Sequence, residues 1–429
     1  MFMNSSKLSK GFPESQKSIN RFRWFMVLLL LFGAIINYFD RTNISIANIV
    51  IADEFGLGEA KMGVLLSAFA WPYAIVSLLS GWAVDKKGPK KILTWAIVFW
   101  SLVTVISGFA NGFIFMLLAR ILLGASESPY FVAGVKVTNR WFPKEKRGFP
   151  TSVFNMGPTI AQAIAPPILT AVMLFAGWRI MFISIGALGF IFVILWIIFY
   201  KDPKPENDYE INAIEEESKD ENSSNLTWSS LFKFRSTWGM IIGAFGTNFT
   251  LWVFLTWLPG YLSKGRGLDL MTTGWVSSIP FIAGIFGVPI GGLLADYLIK
   301  KGVAPIKARK FPIVGAAILS AISVIPVPYV SSTVLAIVFL SIGFFASSIP
   351  PSVMWTLSTD VAPKDKVGSL AGIQNFGGFL GGATAPMVTG VVVQTTSSFQ
   401  MVFLIGAILL IISAFSYGYI LKNPIRVQR

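Results

Sequence analysis

The sequence predicts an all-α integral membrane protein with twelve transmembrane helices in two pseudo-symmetric six-helix bundles. Of 429 residues, 54% are hydrophobic and only 13% charged, the balance of a membrane chain rather than a soluble globule. Apolar runs of about 20 residues, the length a bilayer demands, recur along the chain. The two halves also repeat one another at fixed offsets.

Residues 1–23 are polar and basic and run straight into a span, so they read as a cytoplasmic tail and not a cleavable signal peptide. The first span, 24–50, opens with the uncharged run WFMVLLLLFGAII. Four more follow at 62–84, 92–110, 113–136 and 148–172, with only Asn111-Gly112 to mark a turn between the third and fourth. A sixth at 179–199 completes an N-terminal bundle over 24–200. Residues 201–235 hold nine of the 21 acidic residues and read as an acidic, solvated cytoplasmic linker. Spans at 237–262, 272–299, 311–329, 332–357, 367–391 and 399–421 build a C-terminal bundle over 236–421, and 422–429 is a cytoplasmic tail.

Orientation follows from lysine and arginine. With the N-terminus inside, the inner segments carry five before the first span, four in 85–91, five each in 136–147, 201–235 and 300–310, two in 364–366 and three at the C-terminus. The outer segments carry only Lys61, Arg179, Lys264 and Arg266. Both termini are therefore expected in the cytoplasm, and the net charge of +14 is topology, with no nucleic-acid partner. An offset of 220 places Pro143, Lys144, Lys146, Gly148, Asn155, Gly157, Ala165 and Pro166 on Pro363, Lys364, Lys366, Gly368, Asn375, Gly377, Ala385 and Pro386. An offset of 211 places Gly81 and Asp85 on Gly292 and Asp296. A duplicated six-span unit, with a site near the midplane between its copies, is the transporter architecture this pattern suggests.

With no cysteine and no histidine, disulfides, thiolate metal sites and histidine proton relays are excluded, and any proton must ride on a carboxylate. No Gly-Lys dipeptide occurs, so there is no Walker A loop for ATP. The chain reads as no enzyme, without metal or cofactor, driven by a proton gradient. Four charges fall inside spans: Asp40 and Arg41 in "INYFDRTNIS", and Arg120 and Glu127 in the fourth span. A charge at the bilayer centre costs roughly 2.5–3.5 kcal/mol on insertion scales, so these should face a hydrated cavity or one another. Arg120 and Glu127, seven residues apart, project from one helix face about 10 Å apart.

Several stretches carry a resemblance. "GWAVDKKGPKK" (81–91) resembles the loop signature of the major facilitator superfamily. "INYFDRTNIS", "LARILLGASESPYF" (118–131), "RWFPKEKRG" (140–148), "LTWLPGYL" (255–262) and "GGLLADYLIKKG" (291–302) resemble its anion:cation symporter family, with bacterial glucarate, galactonate and hexuronate transporters the most similar. The resemblance implies a secondary active transporter importing a small organic anion, a hexonate, hexarate or hexuronate, by proton symport with alternating access, as a monomer in the bacterial cytoplasmic membrane. Arg41 and Arg120 would hold the substrate carboxylate, since a guanidinium offers a planar fork of donors. Asp40 and Glu127 would take up protons, making substrate and proton mutually favourable. Tyr38, Tyr73, Asn155, Trp355 and Asn375 are candidate ligands of a polyhydroxy chain, with interhelical hydrogen bonding or interfacial anchoring as the alternative; Ser358 lies too near the cytoplasmic end. The resemblance makes Asp85, Lys86 and the echo Asp296 gating residues, against the alternative of a solvated inner loop. One departure is informative. Sugar-acid transporters of this kind read Asn-x-Gly/Ala-Gln in the fifth span, whereas Asn155-Met156-Gly157-Pro158 lacks the amide, which argues against a glucarate- or galactonate-type substrate. Other open readings are a different carboxylate, exchange or sodium coupling, structural Asp40–Arg120 and Arg41–Glu127 pairs, and a non-transporting membrane sensor.

Overall fold

Without water to satisfy its N–H and C=O groups, a chain this apolar closes its hydrogen bonds within each segment as helix. The computed structural model describes residues 12–142, 148–202, 227–363, 366–422 and 424–425, and the described secondary structure is helix and turn throughout. Residues 1–11, the inner loop 143–147 and most of the expected acidic linker lie outside the described residues.

The first span is α1 (Phe12–Ile46), prolonged past Ala47 by α2 (Asn48–Phe55). The second is α3 (Glu59–Ser67) with α4 (Ala70–Lys87), the third α5 (Pro89–Ser107), and the fourth α6 (Phe113–Glu127) with α7 (Pro129–Trp141). The Asn111-Gly112 turn thus stands between α5 and α6 as expected. α8 (Gly148–Asn155) and α9 (Gly157–Phe199) carry the fifth and sixth spans. Gly177 divides them at φ 82, a left-handed backbone angle that a side chain resists. The second half follows as α10 (Arg235–Gly260), α11 (Leu270–Lys300), α12 (Pro305–Val324), α13 (Thr333–Ser347) with α14 (Pro350–Val361), α15 (Val367–Thr396) and α16 (Gln400–Phe415).

Ten described stretches are long and apolar enough to cross a membrane. One of them, Phe149–Phe199, is the pair divided at Gly177, and α12 has the length but carries Lys307, Arg309 and Lys310 near its start. The described residues therefore make twelve crossings. The ninth ends five residues before the expected 329, where Arg266 donates to the carbonyls of Val327 and Val330 and holds that segment as a turn.

The halves are built alike. The fourth and tenth spans break immediately before Pro129 and Pro350, because proline lacks the N–H that would continue the helix. The fifth span packs on the first where a Cβ on Gly157 would come 2.5 Å from the Ala34 Cβ. The eleventh packs on the seventh likewise, a Cβ on Gly377 falling 2.8 Å from the Ile241 carbonyl oxygen.

The halves meet along α9 and α11, where a Cβ on Gly274 would lie 2.5 Å from Thr170 Oγ1, and along α3 and α15. A Cβ on Gly63 would lie 2.5 Å from the Pro386 carbonyl oxygen, Ser67 Oγ donates to the Ala383 carbonyl at 2.5 Å, and Ala60 N–H donates to Gln394 Oε1 at 2.9 Å. Lys264 Nζ bonds Glu59 Oε1 at 2.6 Å across the same seam. By the lysine and arginine count this is the outer end.

Candidate substrate and proton site

The four charges inside spans meet in the N-terminal half. Asp40 and Arg41 lie on α1 and Arg120 and Glu127 on one face of α6, all between 0% and 5% exposed. Burial of this degree turns them to neither lipid nor open water. Arg41 Nε donates to Glu127 Oε2 at 2.9 Å. Its guanidinium lies 4.5, 4.8, 4.7 and 5.8 Å from the ring centroids of Tyr38, Phe69, Tyr73 and Phe131, an aromatic box whose π-faces favour a cation. Arg120 Nη1 donates to the backbone carbonyl of Asp40 at 3.2 Å, and its guanidinium lies 5.4 Å from the Phe69 ring. The Asp40 carboxylate turns instead to α5, where Oδ1 accepts from Thr104 Oγ1 at 2.7 Å.

Of the two expected charge pairs, Arg41–Glu127 is therefore a hydrogen-bonded ion pair, while Arg120 meets Asp40 through the main chain. Asp40 Oδ2, Glu127 Oε1, Arg41 Nη2 and Arg120 Nε are buried and make no hydrogen bond within the protein. Buried polar groups ordinarily do, and orphaned ionic atoms at one place mark capacity to bind a further polar group.

Aromatic contacts carry this cluster to the other half. Tyr73 packs on Phe379 of α15 at 4.6 Å between centroids, and Phe69 lies 6.4 Å from Trp252 of α10. One helical turn before Phe379, Asn375 lines an open cavity with Asn248, Trp355 and Gln374. Six expected site residues, Tyr38, Asp40, Arg41, Tyr73, Arg120 and Glu127, thus come together, and Trp355 and Asn375 line the cavity of the other half. Asn155 joins neither group; it is exposed, and its amide donates to the Thr151 carbonyl at 2.8 Å. Ser358 is buried and donates to Gln374 Oε1 at 2.6 Å, while Gln374 Nε2 donates to Tyr417 at 2.9 Å. Of the expected gate, the Asp85 side chain lies outside the described residues, and Lys86 and Asp296 are exposed.

Sequence reasoning missed Thr104, Phe69, Phe131, Phe379, Asn248 and Gln374. The fifth span also buries Gln162, one turn beyond Pro158, so this span retains an amide beside the position where one is absent. Nothing distinguishes Thr104 from other hydroxyls in apolar runs until α5 is placed against α1.

The profile of the Major Facilitator Superfamily matches residues 30–386. A probable L-galactonate transporter of Escherichia coli (strain K12) is 37% identical over 427 residues, covering 98% of this chain and 94% of the relative. A probable sulfoacetate transporter of Cupriavidus necator is 32% identical and covers 91% of each chain, and a probable galactarate/D-glucarate transporter of E. coli K12 is 32% identical, covering 90% and 91%. Among solved structures, a bacterial homolog of the human lysosomal transporter Spinster, in an inward-facing and occupied conformation, superposes with a TM-score of 0.76 at 17% identity, over 93% of this chain and 97% of that one. Twelve crossings in two like halves, with a profile spanning most of them and relatives matched end to end, make this chain a member of the major facilitator superfamily, a multi-pass membrane transporter and not an enzyme.

Proposed function

We propose that the protein imports a sugar-acid anion together with protons, by alternating access, as a monomer in a bacterial cytoplasmic membrane with both termini inside. The observation that carries this reading is the aromatic-boxed cluster of two arginines and two carboxylates, each with an unpartnered buried atom, joined through Tyr73 and Phe379 to the half that holds a cavity lined in part by neutral amides. With both carboxylates ionised the four charges cancel; once both are protonated, two guanidinium charges remain and an anion is welcome. The fork of Arg41 suits a carboxylate bidentately. Asn375 and the Oδ1 of Asn248, whose Nδ2 donates to the Ala244 carbonyl, offer polar partners to hydroxyls, and Trp355 offers a ring face to C–H groups. The sugar-acid names borne by relatives support the substrate class, with galactonate and galactarate/D-glucarate among those names, so the doubt that Pro158 raised over a glucarate- or galactonate-type substrate gains no support from them.

In Asp85, Lys86 and Asp296 we retain the inner gate. In this reading Asp85 pairs across the halves only when the outer seam parts. Proteoliposomes under an imposed pH gradient, with hexonates, hexarates, hexuronates and short carboxylates as substrates, test the reading. Uphill uptake should follow the proton gradient and vanish in Glu127→Gln while exchange persists, and Arg41→Lys should bind strongly more weakly. Uphill uptake surviving in Glu127→Gln, or driven by sodium alone, overturns it.

A further inference from the structure

Many buried serines and threonines in this chain donate to their own helix, and Ser67, Thr250, Ser320, Ser413 and Ser416, which cross to another helix, take a backbone carbonyl there. Thr42 donates to the Tyr38 carbonyl, Ser80 to Val76, Ser107 to Val103, Thr247 to Gly243 and Thr256 to Trp252, each at 2.6 to 2.8 Å. That local bond is the default for a helical hydroxyl, since the carbonyl four residues back lies within reach of one of its rotamers. Thr104, fully buried on α5, leaves the default and donates across the bundle to Asp40 Oδ1 at 2.7 Å. The hydroxyl is the one side-chain hydrogen-bond partner of this carboxylate among the described residues. Arg120 is spent on the main-chain oxygen, and Oδ2 has no partner.

The ionisable groups facing Asp40 are Arg41 on its own helix and Arg120 and Glu127 on α6, whereas α5 brings only the hydroxyl. A hydroxyl differs from these in serving both protonation states, donating to the carboxylate and accepting from the acid. The bond to the charged form is the stronger, so the hydroxyl favours proton release. We infer that Thr104 is a positioning residue of the transport cycle: it fixes the Asp40 carboxyl on the α5 side of α1, away from the Arg41–Glu127 pair, and sets the pH at which Asp40 exchanges its proton. This rests on the reading of Asp40 as a coupling site.

The test is the pH profile of proton-driven uptake in proteoliposomes. Thr104→Val keeps the shape and removes the hydroxyl. Its alkaline fall-off should move up by about one pH unit, the size of one charge-assisted hydrogen bond, with melting temperature and substrate binding near those of the parent. Thr104→Ser should restore the parent profile, and in an Asp40→Asn background, read by counterflow exchange in place of uphill uptake, Thr104→Val should leave the pH dependence unchanged. A parental profile in a well-folded Thr104→Val overturns the inference while leaving Asp40 in place, as does a Thr104→Ser variant impaired to the same extent. Uphill uptake with parental pH dependence in Asp40→Asn removes Asp40 from coupling and overturns both.

Discussion

The outer seam is closed by the approach of two backbones, and one methyl group should open it. In Gly63→Ala the new Cβ would stand 2.5 Å from the Pro386 carbonyl oxygen and 3.1 Å from the Gly390 Cα, atoms that no side-chain rotation can clear. Ordinary carbon–oxygen contact begins near 3.3 Å, so α3 and α15 must separate by about 0.8 Å. One turn to either side lie the two hydrogen bonds that zip the seam, Ala60 N–H to Gln394 and Ser67 to the Ala383 carbonyl. Each contributes about 0.5–1.5 kcal/mol net, so losing both disfavours the closed form by about 1–3 kcal/mol, roughly a 5–150-fold shift in the equilibrium. The chain has no cysteine, so a single Ala383→Cys, at a position fully buried beneath the seam, reports opening without background. Its labelling by a membrane-impermeant maleimide from outside should quicken by about that factor in Gly63→Ala. Gly81→Ala, where a Cβ meets nothing within 4 Å, is the control and should change nothing. Unchanged labelling in a folded Gly63→Ala refutes the steric reasoning.

Glu54 accepts from Arg179 at 2.5 and 3.0 Å and from the Trp178 indole at 2.8 Å, and these bonds, Arg179 first, hold its carboxyl below the ordinary 4.5. A lowered value stabilises the fold above 4.5 and ceases to as pH falls through the folded-state value, so a thermal-melt series from about pH 6 to 3 should decline less in Glu54→Gln. The site is exposed, so the difference at neutral pH should be small. Gly177→Ala forces a side chain into the left-handed region with open space around it, so strain alone should cost about 1–2 kcal/mol in a melt; the same change at Gly372, helical and equally open, should stabilise slightly. Removing Arg41 and Glu127 together as Arg41→Leu/Glu127→Ser should abolish uptake and leave the melting temperature equal or higher, whereas Glu127→Ser alone strands a buried guanidinium and should cost about 3–5 kcal/mol.

The twelve crossings were legible because a membrane helix announces itself by length and composition, and so was the duplication, because loops and kinks keep their glycines and prolines. The four charges were legible for the same energetic reason, being costly where they stand. What stayed hidden is what touches them. Phe69, Phe131 and Phe379 are three of 37 phenylalanines, and only helix placement shows that the first two box Arg41 and the third packs on Tyr73. The sequence allowed Asp40 to pair with Arg120; that Arg120 takes the main-chain oxygen and Thr104 the carboxylate depends on the rotation of α5 and α6 about their axes, which periodicity in a uniformly apolar span does not define. Asn155 lies on the fifth span as expected, yet it spends its amide on its own helix.

The duplication supplies a comparison that bears on the structural-pair reading. At an offset of 210, the buried, half-buried and exposed positions of residues 31–40 recur in the same order over 241–250, and at 220 those of 113–118 recur over 333–338. In these registers Asp40, Arg41, Arg120 and Glu127 correspond to Thr250, Leu251, Leu340 and Ser347. The second half thus builds the same first and fourth helices of the unit, broken at the same proline, with no charge at any of the four places. Holding four charges inside a bilayer costs roughly 10–14 kcal/mol on insertion scales before any pairing, and the second half shows that the framework stands without them. A need of the fold would fall on both copies; a need of the cargo falls on one. The absence of charge from the second copy supports the proposed reading, in which the ionic groups serve what is bound between the halves. On that reading charge is recognised by α1 and α6 and hydroxyls are met by the amides of α10 and α15.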